Sequence, residues 1–488
     1  MVLFSVRPTL IEGVLYPKVI LALISQTFFL CWLLFSIHHK SMLAIFKLIT
    51  IPILLMLGLV IKNKFDINEI LGAPSRYNGY LSLFLGLTFV INGVCLSKLE
   101  RKATVGKSFA IFPIFLLLVI ILQEISPFGP SSLKQFDFLD QVIHLNKDFI
   151  AVLISMGLVW SCYYLLDSSQ VSYLKSVSFV LLVVVFALLF GLIQIYFFLV
   201  LTIFLHFMVF RNKYSRYLFL LPLAMGLGFI VSCLVIPRSI LIKDASIEQR
   251  YEILKYGLRL LVNKPFSPIG IDQVSNYSLG FSNYEVLDDV HNVFLQHSLT
   301  LGMFFGIFSF FIFSLPFLFL KIQNLGKFSK VALISYSVFY LNLFIGIFSP
   351  EFMYFGFLLY GVLLSEMKVF GAIRSSKRRF TLTSLFLVAI TLISIPVYRD
   401  LIHRVEISQL TREAAAGKLS TTIASDELLV KIKQVGDAAY GMKVAQNFYN
   451  VGDCDAGDEV VSIMRARNPL EARLYFLGVS SKRCRLEG

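Results

Sequence analysis

His291 stands in the stretch LDDVHNVFLQHSLTLGMFFG, residues 287–306, just after Asp288 and Asp289. An imidazole titrates near neutrality, so His291 can take a proton from a hydroxyl, and either carboxylate can orient its ring. Two arginines add a second capacity. Arg250, in SIEQRYEILKYGLRLLV, and Arg76, in LGAPSRYNGYLSLF, carry planar forks that suit a phosphate or diphosphate. Hydroxyl activation beside a clamped diphosphate is the chemistry of group transfer, with the arginines stabilising negative charge as the leaving group departs. Taken singly, each residue also has a plain reading: a histidine that caps or solvates a helix entry, and arginines that anchor in lipid headgroups. The elements that deliver them to one place decide between the two.

The chain has 488 residues, of which 57% are hydrophobic and only 15% charged, with a mean hydropathy of +0.78. That balance lies outside the soluble globular range and predicts an all-α polytopic membrane protein. A helix of about 20 apolar residues spans a bilayer. About twelve such runs can be traced, near 19–37, 42–61, 79–97, 108–123, 149–166, 175–190, 192–210, 217–236, 293–320, 331–348, 351–366 and 381–397. The run from Phe179 to Phe210 exceeds one crossing, and Gly191 with Gln194 marks the expected break. Val2–Tyr16 lacks the pattern of a cleavable signal, so the first run is expected to act as an uncleaved anchor.

Basic residues orient the chain. The loops 98–107, 211–216, 321–330 and 366–380 together hold 15 Lys and Arg against Glu100 and Glu366, which accounts for nearly all of the formal +14. Lys and Arg in short loops resist translocation, so these loops are expected on the cytoplasmic side. The positive charge is therefore a topological signal, and nucleic-acid binding, which needs a basic soluble face, is excluded. The segments 62–78, 124–148, 237–292 and everything after residue 398 then fall outside, which is where Arg76, Arg250 and His291 all stand.

Two outer pieces are long enough for structure. Within 237–292, the stretch Ser246–Val262 has helical period: Ile247, Tyr251, Leu254, Leu258 and Leu261 form one stripe. Arg250 falls beside that stripe, whereas Arg259 lies on another face. The tail 398–488 reads as a small helical domain. Its stretch AQNFYNVGDCDAGDEVVSIMRARNPLEARLYFLG resembles one tetratricopeptide-like hairpin, with Gly452-Asp453 at the turn and Pro469 opening the next helix. The acids Asp453 and Asp455 read as an acidic turn in preference to a metal site. Cys454 and Cys484 would pair in an oxidising compartment. Cys31, Cys95, Cys162 and Cys233 lie in apolar runs and read as small buried side chains. No phosphate-cradling loop, paired metal histidines or nucleophile elbow occurs in the sequence.

The order of motifs resembles the O-antigen ligase and polymerase superfamily. Gly72, Arg76 and Gly79 precede an early span; Arg250 is followed by Pro268-Ile269-Gly270; then come His291-Asn292 and Gly302. The resemblance covers roughly residues 15–397, a membrane domain taken as 1–397. It implies a multi-span bacterial inner-membrane glycosyltransferase that needs no metal or other cofactor and works on the periplasmic face. Its donor would be a glycan on undecaprenyl diphosphate, and its acceptor the lipid A core, a growing glycan or a protein. Arg76 and Arg250 would bind the diphosphate, His291 with Asp289 or Asp288 would act as base, and Gly270, Asn292 and Gly302 would be structural. Direct displacement would invert the anomeric carbon. Two features depart from the family pattern: Gly302-Met-Phe-Phe-Gly306 is one residue longer, and Gln194 stands where ligases carry a further arginine. A lipid-linked oligosaccharide flippase is the alternative of another class, and the scarcity of charge inside the runs speaks against it.

Overall fold

The computed structural model describes chiefly residues 22–29, 79–98, 104–113, 147–164, 245–263, 290–346, 350–367, 387–400 and 452–467, with shorter pieces between them. The described residues are helical, without strands. Along the chain run α1 (Tyr80–Lys98), α2 (Lys147–Tyr164), α3 (Ala245–Asn263), α4 (Val293–Leu301), α5 (Met303–Phe319), α6 (Lys327–Ile345), α7 (Pro350–Glu366) and α8 (Cys454–Arg467). Two described stretches, Tyr80–Ser97 and Lys327–Ile345, are long and apolar enough to cross a membrane, and α5 is a shorter apolar helix. Helix α6 is apolar all round and is correspondingly buried, from Val331 to Phe344 without a break.

Helices α1 and α7 cross at backbone distance. A Cβ on Gly93 would overlap the Leu358 carbonyl, and one on Gly361 would overlap the Val90 carbonyl. With no side chain between them, the two helices exclude everything but each other, as close helix pairs in apolar surroundings do. Gly86 against the Phe357 ring and Phe89 stacked on Tyr354 at 4.8 Å extend the same seam.

A proline sets the next contact. Pro316 lies inside α5 and cannot donate to Ile312, four residues back. The Ile312 carbonyl instead accepts from the Tyr360 hydroxyl of α7 at 2.8 Å, and the adjacent Phe313 carbonyl accepts from Tyr336 of α6 at 2.7 Å. Ser314 and the Tyr340 hydroxyl meet at 2.7 Å. Two tyrosines thus serve backbone carbonyls around one proline, a third meets the Ser314 hydroxyl beside them, and a core of rings packs about all three.

The pairings also sort the helix ends. Gly106 lies against Tyr164, the Lys327 ammonium sits 5.6 Å from the Tyr164 ring, and Ser329 donates to Glu366 at 2.9 Å. These positions gather at one end of the bundle. Asn292 and Phe344 are joined at the other.

The run 293–320 is not one helix, contrary to the sequence expectation. It breaks at Gly302, with φ 101° and ψ 152°, a region open essentially to glycine alone. Helix α4 then lies back along α5: Phe294 meets Phe310 and Phe313, His297 meets Ser309, and Ser298 meets Gly306. Gly306 permits this, because a Cβ there would overlap Ser298 Oγ and crowd the Phe294 carbonyl. Gly302, expected to be structural, makes the turn, and Gly306, four residues on, allows its closure.

In the tail, Gly452 with φ 84° ends one helix in a Schellman arrangement, its N–H donating to Tyr449 and that of Asp453 to Phe448. Asp453 then caps α8, accepting from Ala456 N–H at 3.1 Å. The expected helical turn at Gly452-Asp453 is thus present. Pro469 lies outside the described residues. Cys454 and Cys484 form a disulfide. Arg485 donates to Asp455 and Asp458 at 2.9 Å each, so these acids are structural.

Candidate functional site

Helix α3 is amphipathic and turns its buried face, Ile253, Leu254 and Gly257, toward α4. Gly257 makes the approach possible: a Cβ there would stand 2.7 Å from Val290 Cγ1 and 3.1 Å from Leu295 Cδ2. Val290, Leu295, Leu299 and Val274 complete this satellite core. The buried stripe is turned a little from the expected one, since Tyr251 and Leu258 are only half-buried. At roughly 100° per residue, Arg250, Leu254, Gly257 and Leu261 share a face about 60° wide. Arg250 is therefore on the packed face itself, about 10 Å along the axis from Gly257, and Arg259 on the opposite side is exposed.

The segment after α3 returns to α4 through the Pro-Ile-Gly motif. Ile269 N–H donates to the Leu299 carbonyl at 2.9 Å, serving one of the carbonyls that the end of α4 leaves unpaired. Gly270 takes φ 94°, where a side chain would be strained.

His291 follows Val290 and is half-buried, with its backbone at φ 50°. Left-handed backbone at a residue other than glycine costs on the order of 1 kcal/mol, and such outliers gather at functional sites. Both neighbours of His291 are held. On one side Asn292 caps α4, its Oδ1 accepting from Leu295 N–H at 2.9 Å, while its Nδ2 donates to the Phe344 carbonyl of α6 at 2.9 Å. On the other, Val290 N–H donates to Gln296 Oε1 at 3.1 Å. Gln296 was not among the residues that the sequence pointed to. Its signal is a lone amide ending the otherwise apolar first turn, VFLQ, of α4.

His297 is different. It is buried, its Nδ1 lies 2.8 Å from Ser309 Oγ, and its ring meets Phe305 edge-on. It belongs to the α4–α5 packing and does not share the setting of His291.

The fold thus packs α3 at Gly257, on the face that also carries Arg250, against Val290 next to His291, at the bundle end opposite Tyr164, Lys327 and Glu366. Arg76, Asp288 and Asp289 lie outside the described residues. Among the described residues, no three His, Cys, Asp or Glu side chains converge as a metal would require. No family model matches the chain, and no curated protein or solved structure matches it.

Proposed function

We propose that this protein is a multi-span membrane glycosyltransferase of the O-antigen ligase and polymerase type. It takes a glycan from undecaprenyl diphosphate at the outer face of the bacterial inner membrane and passes it to an acceptor hydroxyl. The observation that carries the reading is the strained His291, held between Val290 and Asn292 beside the helix face that bears Arg250. An imidazole fixed there is suited to take the acceptor proton, and Arg250, with Arg76, to hold the diphosphate as it leaves. The positioned carboxylate would be Asp289 or Asp288.

Membrane residence is supported by the surface of the bundle. On α5, Phe304, Ile307, Phe308, Phe311, Leu318 and Phe319 are exposed in one helical stripe, and on residues 387–400 so are Val388, Leu392, Ile395 and Tyr398. Stripes of this size at water would drive aggregation, whereas acyl chains cover them at no cost. The orientation is supported by the helix ends. Gly106, Lys327 and Glu366, which lie in or flank the basic stretches of the sequence, share one end, as the ends next to cytoplasmic loops would, and the His291 junction takes the other. The Cys454–Cys484 bridge suits a tail on the oxidising side.

The test is incubation of the purified protein with undecaprenyl-diphosphate glycan and, separately, lipid A core, free glycan and protein acceptors. Transfer to one of them, lost in His291→Ala, is expected, and the acceptor used names the subtype. Absence of transfer to all three by a well-folded protein sinks the proposal.

A further inference from the structure

We propose that Gln296 is a positioning residue for His291: its side-chain oxygen, by holding the Val290 N–H, keeps the His291 backbone in the left-handed conformation that sets the direction of the imidazole. The inference rests on His291 as the base described above, and it concerns what fixes that base.

Left-handed backbone is uncommon outside glycine, though histidine adopts it more readily than most residues, and it persists where the surrounding structure fixes it. The downstream flank is fixed twice, because Asn292 is bound to Leu295 N–H and to the Phe344 carbonyl. The upstream flank needs its own restraint, and Gln296 supplies it from four residues beyond the cap. Gln296 is 92% buried, where an unbonded amide is unfavourable. The backbone N–H of Gln296 makes the first helical bond of α4, to the Asn292 carbonyl at 2.8 Å, so the amide reaches back from a point already fixed next to the cap. Gly257 leaves Val290 the room to sit where this bond requires. A helix cap alone would not need the arrangement, since Asn292 already caps α4.

A purely structural bond and a positioning bond differ in their coupling to residue 291. Glycine takes φ 50° without strain and alanine does not, so the difference in melting temperature between His291→Gly and His291→Ala reports how firmly the left-handed conformation is imposed. In the full-length protein in detergent, His291→Gly is expected to melt higher than His291→Ala. In the presence of Gln296→Met, which keeps length and apolar volume but removes the acceptor, that gap is expected to close. A gap of unchanged size with Gln296→Met overturns the proposal, whatever the activity.

The second readout is turnover. Gln296→Met, with His291 intact, is expected to lower kcat by roughly tenfold to a hundredfold with KM little changed, as misplacement of a reacting group does. Gln296→Glu keeps an oxygen at the same position and is expected to recover most of it. If Gln296→Met leaves kcat at the wild-type level, Gln296 does not position the base. A gap that closes in a wild-type frame with no transfer to any acceptor supports the role of Gln296 and removes the transferase reading instead.

Discussion

Asn292 Nδ2 donates to the carbonyl of Phe344 at 2.9 Å, so the side chain that caps α4 also fastens it to the last turn of α6. One amide thereby ties the residue next to His291 to a helix 52 positions away in sequence. Asn292→Asp keeps the capping oxygen but loses the donor, and Asn292→Ala loses both. Thermal unfolding in detergent should rank them wild type, then aspartate, then alanine, with alanine costing about 1–3 kcal/mol. An alanine variant as stable as wild type would contradict the double role.

Tyr360 and Ile312 make a prediction about the proline. Tyr360→Phe leaves the Ile312 carbonyl without the donor that replaces the one missing at Pro316. The loss should be about 1–3 kcal/mol of stability, because a buried acceptor is stranded. Combined with Pro316→Ala, which returns an N–H to the helix, the same Tyr360→Phe change should cost much less. Equal cost in both settings would show that the hydroxyl serves some other purpose.

The two histidines of the same segment should behave in opposite ways. If His291 is the base of the proposed transfer, His291→Ala should reduce transfer by about 10²–10⁴-fold while the fold survives. His297→Ala strands Ser309 in the packed hairpin, so it should lower the melting temperature and leave the turnover of the folded fraction nearly intact. Transfer rates and melting curves on both variants decide it; an active His291→Ala protein would take His291 out of the mechanism.

Arg250 and Arg259 differ in the face they occupy. Arg250→Lys keeps charge but not the fork, and should weaken transfer strongly if the guanidinium clamps a diphosphate. Arg259→Lys, on the exposed face, should be close to silent. Indistinguishable kcat/KM values for the two variants would point to a general interfacial role for both.

The tail carries a pH dependence of known sign. Burial works to raise the Asp458 carboxyl, but hydrogen bonds from Arg485, Tyr449 and Ser481 outweigh it and hold the group below its ordinary value. A folded pKa below the unfolded one means stability that is present above the unfolded pKa and lost as pH falls through the folded one. The acid limb of the melting profile should therefore flatten in Asp458→Asn. Tyr449 is displaced the other way, raised by burial and by its bond to Asp458, so that link persists through neutral pH. Intact mass before and after reduction should report the Cys454–Cys484 bridge, and two free thiols in the isolated protein would contradict it.

Much of the bundle was legible in the sequence. Apolar runs near 79–97, 149–166 and 351–366 appear as α1, α2 and α7, because length and apolarity are local properties that dictate a helix before any partner is known. The turn at Gly452-Asp453 and the pairing of Cys454 with Cys484 were also readable, since glycine, a capping acid and two tail cysteines carry local chemical meaning. His291 and Arg250 were singled out by residue type alone, on which the proposed function rests. What the sequence did not determine is what depends on contact between distant segments. Periodicity alone made 293–320 a single helix, and only the packing of α4 on α5, allowed by the missing side chain of Gly306, reverses the chain at Gly302. Gln296 had no meaning until the fold brought its oxygen to Val290, and the hydroxyls of Tyr336 and Tyr360 none until α6 and α7 met the carbonyls around Pro316. A hydrogen bond between segments requires both partners in place, and that is a property of the tertiary structure.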